Sequence, residues 1–164
     1  MSEKIELVLA TEEDAKLIHE MKYEAFLPLY QKYHDDETSP VLEKIEDVIR
    51  KIKKEGSDYY IIQLDGENVG AIRISYRVLQ NSFVGSVFYI SPVFILPEYQ
   101  NRGIGYQVMQ KIFEKYKKAK RWKLDTIKQE PGNCYLYEKC GFVRTGKERV
   151  INENMTLVDY EKIV

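Results

Sequence analysis

An α+β fold, mixed in the order of its elements, is what this sequence predicts: one mixed, mostly antiparallel sheet of about seven strands with about four helices around it. Three observations predict it. Short apolar runs rich in Ile, Val and Tyr are bounded by Gly, Pro, Asn and Asp; other stretches repeat apolar residues at helical spacing; and the two kinds interleave in the order β-α-α-β-β-β-α-β-α-β-β.

The first strand is Ile5–Leu9, and Thr11 with Asp14 three residues on marks an N-cap. Ala15, Ile18, Met21, Ala25 and Phe26 then keep helical spacing until Pro28, beyond which residues 30–38 lose the period. Ser39 and Pro40 restart a helix as cap and first-turn proline; Val41, Leu42, Ile45, Val48, Ile49 and Ile52 form its apolar stripe, and Gly56 stands where a left-handed C-cap would fall. Residues 59–64 and 69–77 flank Asp65-Gly66-Glu67-Asn68, the composition of a hairpin turn. The strand over residues 86–96 contains Pro92, which cannot donate to a ladder and so predicts a bulge or lost pairing. Ile104, Val108, Met109, Ile112, Phe113 and Tyr116 define a helix over 103–119; a strand follows at 122–128, a short helix at 133–139 closed by Gly141, and a hairpin at 142–150 and 154–160.

The 164 residues suffice for a single domain, 1–164, with a sizeable core at 44% hydrophobic content. With 25 basic and 26 acidic side chains the net charge is -1, which argues against a general nucleic-acid binder. Residues 78–97 carry no charge, but Ser, Asn, Gln, Gly and Pro punctuate them, so they read as strand and not as a membrane span. Residues 1–6 lack the basic-then-apolar order of a secretory signal. Cys134 and Cys140 lack metal or redox spacing and read as free thiols, and a cytoplasmic protein is the expectation. Neither His19 nor His34 has the neighbours of a metal site, so no metal is expected.

The most informative stretch is Pro97-x-x-Gln100-x-x-Gly103-x-Gly105. A buried strand ends, a polar turn follows, and two glycines open a helix whose first N–H groups lack partners, which suits a phosphate. A dinucleotide loop would need a third glycine where Val108 stands. Residues 141–147 imitate a phosphate loop, but Glu148 replaces its hydroxyl residue and strand follows where helix is required.

The glycine stretch resembles the acyl-CoA signature of the GNAT superfamily of N-acetyltransferases. A second segment, Asn133-Cys134-Tyr135-Leu136-Tyr137-Glu138-Lys139-Cys140-Gly141-Phe142, is similar to that superfamily's Leu-Tyr-Glu-Lys-x-Gly-Phe segment and follows at its usual separation. The resemblance is sharp over residues 86–142 and weak before them. It implies a sheet splayed between its fourth and fifth strands and acetyl-CoA as acyl donor, with a primary amine of a small molecule or peptide as acceptor. Backbone N–H groups of Arg102, Gly103, Ile104, Gly105 and Tyr106 would hold the pyrophosphate, with Gln100 in the same motif. Pantetheine would lie along Val93, Phe94 and Ile95, with Asn133 as a polar contact. Tyr137 matches the family tyrosine near the CoA sulfur, as acid or hydrogen-bond donor.

Where the family places a carboxylate base on the central strand, this chain has Tyr89, and a phenol is a poor base at neutral pH. Glu98, Asp125 or a water remain as candidates. A cationic acceptor would approach the connection after the first helix, which carries Tyr30, Tyr33, His34, Asp35, Asp36 and Glu37. Lys115 to Arg121 complements a helix C-terminus, and contact with the CoA 3′-phosphate is left open. A homodimer is also left open, and a catalytically silent acyl-CoA-binding module on the same fold is the alternative reading.

Overall fold

Strand β2 (Ser57–Leu64) must be covered on both faces, because Tyr59 and Ile61 alternate with Tyr60, Ile62 and Leu64 and all of them are buried. The computed structural model, which describes residues 3–79, 82–83 and 85–164, provides the two layers. Residues 1 and 2 of the N-terminal reading, and 80, 81 and 84 of the uncharged stretch, lie outside the described residues. The remaining strands are β1 (Ile5–Leu9), β3 (Glu67–Ser75), β4 (Val87–Ile95), β5 (Arg121–Ile127), β6 (Val143–Asn152) and β7 (Met155–Ile163). They form a 7-stranded sheet in the order β1-β2-β3-β4-β5-β7-β6. Every neighbouring pair is antiparallel except β4 and β5. Val78–Leu79 and Ser82–Phe83 make a separate small hairpin between β3 and β4.

Helices α1 (Ala15–Tyr33) and α2 (Ile45–Lys53) cover one face, over Tyr59, Ile61, Ala71 and Phe94; α3 (Ile104–Lys115) and α4 (Pro131–Lys139) cover the other, over Ile62, Ile72, Phe88 and Trp122. The expected element order is therefore found, and the differences are local. Helix α1 does not stop at Pro28 but runs on to Tyr33, closing at His34 with φ 50°. The loss of one backbone donor at Pro28 is outweighed by what its last turn reaches: the buried Tyr33 hydroxyl donates to Glu130, and Asn152 Nδ2 donates to the Tyr33 carbonyl at 2.9 Å. Ser39 and Pro40 do form a cap and first-turn proline, but of a single 3₁₀ turn (Pro40–Leu42). Glu43 interrupts it in an extended conformation, because its carboxylate is drawn into Lys22 at 2.7 Å and Lys51, while His19 Nε2 lies 2.9 Å from its carbonyl. Gly56 has the positive φ of a left-handed residue, yet α2 has already ended at Lys54.

Pro92 produces the bulge expected of it. Ile74 pairs with Ile90 and Ile72 with Val93, so Ser91 and Pro92 together oppose Arg73, whose Nε donates to the Ser91 carbonyl at 2.7 Å. The extra residue inverts the alternation of β4. Phe88 and Ile90 face the α3 layer before it, Val93 and Ile95 face the same layer after it, and Phe94 turns to α1, where it meets Phe26 edge-on at 5.7 Å.

Gly70 fixes how closely β3 and β4 approach here, since a Cβ at this position would stand 2.1 Å from the Phe94 carbonyl oxygen. Gly70→Ala is expected to destabilise the protein by about 1–3 kcal/mol through this overpacking, read as a lower urea midpoint.

Candidate active site

β4 and β5 are joined only through Val87, Phe88 and Tyr89 against Arg121, Trp122 and Lys123. Beyond that point β4 stays with β3 as far as Ile95, and β5 stays with β7 as far as Ile127, so the strands part. The β4 edge from Ile90 to Ile95 is left without a strand partner on this side. A cavity of about 240 Å³ occupies the gap. Its walls come from both layers: Ile90, Val93, Leu124, Asn133 and Tyr137 from the α3 and α4 side, and Phe26, Tyr30, Asp35, Asp125 and Leu157 from the α1 side. It therefore passes through the sheet.

At the end of β4 the chain makes a 3₁₀ turn (Pro97–Tyr99), passes Asn101 and Gly103 with positive φ, and enters α3. The first α3 hydrogen bond runs from the Gln107 N–H to the Gly103 carbonyl, so the N–H groups of Ile104, Gly105 and Tyr106 have no acceptor within the helix. Nothing lies within 4 Å of where a Gly103 Cβ would stand; glycine is required there for its φ of 78°. A Gly105 Cβ would meet Leu136 of α4 at 3.1 Å, so this glycine also sets how closely α3 and α4 pack. The Gln100 amide donates to the Ile95 carbonyl at 2.8 Å and ties the turn to the strand end. Arg102 donates to the Glu98 carbonyl and stacks over Tyr99, with its guanidinium 5.3 Å from the ring centroid. Lys115 to Arg121 lies at the far end of α3, a helix of 12 residues and so roughly 18 Å from these N–H groups.

Of the residues singled out on β4, Val93 lines the cavity, while Phe94 and Ile95 turn their side chains into the two cores; the Ile95 N–H faces the open edge and that of Phe94 faces β3. The three candidate bases are all exposed positions, but Tyr89 and Glu98 line no part of the cavity, whereas Asp125 does. Of the acceptor-side set, Tyr30 and Asp35 reach the cavity. Asp36 instead accepts from the Tyr30 hydroxyl, Glu37 is exposed, His34 caps α1, and Tyr33 is committed to Glu130. Met155 and Leu157 were not legible as wall residues, because only the pairing of β7 with β5, Ile127 opposite Leu157, brings them there. Among the described residues no cluster of His, Cys, Asp or Glu could hold a metal ion, and no helix is long and apolar enough to cross a membrane.

Residues 18–142 match the family model described as the acetyltransferase (GNAT) family. The chain belongs to that family. An acetyltransferase from Thermus thermophilus shares its fold at 19% identity and a TM-score of 0.72, over 98% of this chain and 97% of that one. So does the spermidine N-acetyltransferase of Vibrio cholerae solved with CoA and spermine, at 15% identity and TM-score 0.74, over 97% and 95% of the two chains. The PaiA N-acetyltransferase of Thermoplasma acidophilum, solved with coenzyme A, matches over 100% of both at 16% identity and TM-score 0.69. Among curated proteins no sequence matches.

Ionisable groups of this GNAT cavity are shifted by their surroundings, Tyr137 and Asp125 among them. Tyr137 is 7% exposed, its hydroxyl makes no hydrogen bond to a described residue, and burial holds its proton well above the ordinary phenol range. Asp125 is an exposed position, but the space it faces is the cavity, and the protein around that space desolvates its carboxylate. That desolvation, and Asp159 directly opposite it on β7, push it above the usual carboxylate range, with Arg149 opposing. Asp159 is itself held by Thr145 Oγ1 at 2.6 Å and by Lys123 at 3.3 Å. Asp159→Asn removes a like charge, so the Asp125 carboxyl titration followed by NMR is expected to move to lower pH; an unmoved midpoint would show that desolvation alone sets it.

Proposed function

We propose that residues 1–164 form one acyl-CoA N-acyltransferase domain that moves an acetyl group from acetyl-CoA to a primary amine of a small molecule. The observation that carries this reading is the cavity through the sheet, which has a proton-holding phenol and a carboxylate of raised proton affinity on its walls. Acetyl-CoA supplies the thioester carbonyl and the sulfur leaving group. The free N–H groups of Ile104, Gly105 and Tyr106, at the positive end of α3, suit its pyrophosphate, with Arg102 and Gly103 completing the turn. The unpaired β4 edge at Val93, Phe94 and Ile95 suits the amides of pantetheine, and Asn133 stands on the wall beside it. Gln100 supports this arrangement from behind by holding the strand end.

An amine is a nucleophile only when neutral, so a proton must leave it. Asp125 is the carboxylate placed to take that proton, and its raised proton affinity brings it closer to the amine's own. Tyr137 keeps its proton and offers a hydrogen bond where negative charge develops on the departing sulfur. The cavity is smaller than the roughly 300–1,000 Å³ of typical ligand pockets, which favours a small acceptor over a peptide. Free, buried Cys134 and Cys140 suit a reducing, cytoplasmic compartment.

Tyr137→Phe is expected to lower kcat by about 10²-fold while CoA affinity stays within about twofold, since a proton donor acts in the transition state. Gly105→Asp is expected to abolish the rise in Tm that acetyl-CoA gives the parent protein, by setting a carboxylate at the free N–H groups and against Leu136. Thiol release with an amine panel and thermal unfolding measure the two. Full turnover in Tyr137→Phe would remove the tyrosine from the chemistry, and unchanged CoA binding in Gly105→Asp would remove the phosphate site.

A further inference from the structure

We infer that the acceptor carries a second cationic group, distant from the amine that is acetylated, and that Asp35 is the residue that binds it; the inference rests on the amine-acetylation reading above. Asp35 is 6% exposed and lines the cavity, yet its carboxylate has one hydrogen bond, from the Thr38 hydroxyl at 2.9 Å. No Lys, Arg or His among the described residues forms an ion pair with it. The N–H groups of Thr38 and Ser39 are spent on the Asp35 carbonyl and add nothing to its carboxylate. A buried carboxylate with one neutral donor is costly unless a cation joins it. Cations of the α1 layer are committed elsewhere: Lys22 and Lys51 to Glu43, Lys32 to Glu130, Arg50 to Asp47, Lys53 to Glu12, and Arg73, on β3 beneath it, to the Ser91 carbonyl and the Ser57 hydroxyl. The missing counter-charge is then one that a ligand brings.

The rest of the cavity describes that ligand. Tyr137, more than nine-tenths buried, turns an unpartnered hydroxyl into the same space, so the cavity is built to receive polar groups. Asp125 accounts for the reacting amine and Asp35 for a second ammonium, with Tyr30 lining the cavity beside Asp35 as an aromatic partner for a cation. The wall also includes Phe26, Leu29 and Leu157, which suit a short hydrocarbon chain. The chemical class is an unbranched alkyl diamine or an aminoalkyl cation; an α-amino acid would bring its own carboxylate against Asp35.

The test compares 1,4-diaminobutane with n-butylamine, by calorimetric binding to the CoA-saturated protein and by thiol release with acetyl-CoA. The diamine is expected to bind roughly 10- to 100-fold more tightly, the range of one charge-assisted hydrogen bond. Asp35→Asn keeps the side-chain shape and should bring the diamine down to the level of butylamine, with butylamine and CoA affinities unchanged. Thr38→Val removes the internal hydrogen bond but keeps the carboxylate, and should retain the preference. Equal binding of both amines, a preference that survives Asp35→Asn, or one that Thr38→Val abolishes as fully, would each overturn the inference. If the calorimetric preference behaves as expected but neither amine releases thiol, the recognition stands and the acetyl-transfer reading fails; if both amines turn over without preference, the reverse holds.

Discussion

The site depends on two strands that stop pairing. β4 and β5 hold each other for three residues on each side, and then each follows its other neighbour. β5 is paired to β7 from Arg121 to Ile127, so it cannot bend back; β4 is kept against β3 by the Ile72, Ala71 and Gly70 pairs beyond the bulge. The bulge is what allows β4 to diverge while it stays hydrogen-bonded to β3. By inserting one residue opposite Arg73 it adds local twist, and it turns Val93 toward the cavity while Phe94 anchors the strand under α1. A sheet paired to its ends would have neither a passage between its faces nor an unpaired backbone edge.

That passage separates charges that the composition hides. A net charge of -1 suggests little about ligands, but the two faces are sorted. On the α3 side stand free N–H groups at the positive end of a helix, close to Arg102, and an anion is favoured there. On the α1 side stand Asp35 and Asp125, where a cation is favoured. A face that favours an anion and a face that favours a cation thus meet in the gap. The α1 side is itself held by tertiary contacts: Tyr33 at the end of α1 reaches Glu130 before α4, and Asn152 in the β6–β7 hairpin holds the Tyr33 carbonyl.

Local rules made much of this visible in the sequence. Strand alternation, the Asp65-Gly66 turn, the Pro92 bulge and the left-handed Gly103 before α3 each depend on a residue's own conformational limits, and those travel with the sequence. The end of α1 is hidden from the sequence for the opposite reason. Its last turn beyond Pro28 is held by Glu130 and Asn152, which are 97 and 119 residues away from Tyr33, and no periodicity in residues 30–38 encodes them. The same holds for the carboxylates. Asp35, Asp36 and Glu37 are indistinguishable in a string of acids, and only folding buries the first against the cavity, gives the second to Tyr30 and leaves the third in water. Asp125 likewise reads as one exposed position of an alternating strand; what marks it is the gap beside it and Asp159 across from it.

The central claim is that the parting of β4 and β5 creates the acyl-CoA site, and hydrogen exchange tests it residue by residue. Saturating CoA is expected to slow backbone exchange at Val93 and Ile95, whose N–H groups point away from β3, and at Ile104 to Tyr106, which lack helix partners, while β1 and β2 remain unchanged. Protection of the Gly141 to Lys147 segment in their place, or heat stabilisation by CoA with no slowing at either of the two expected segments, would contradict the account.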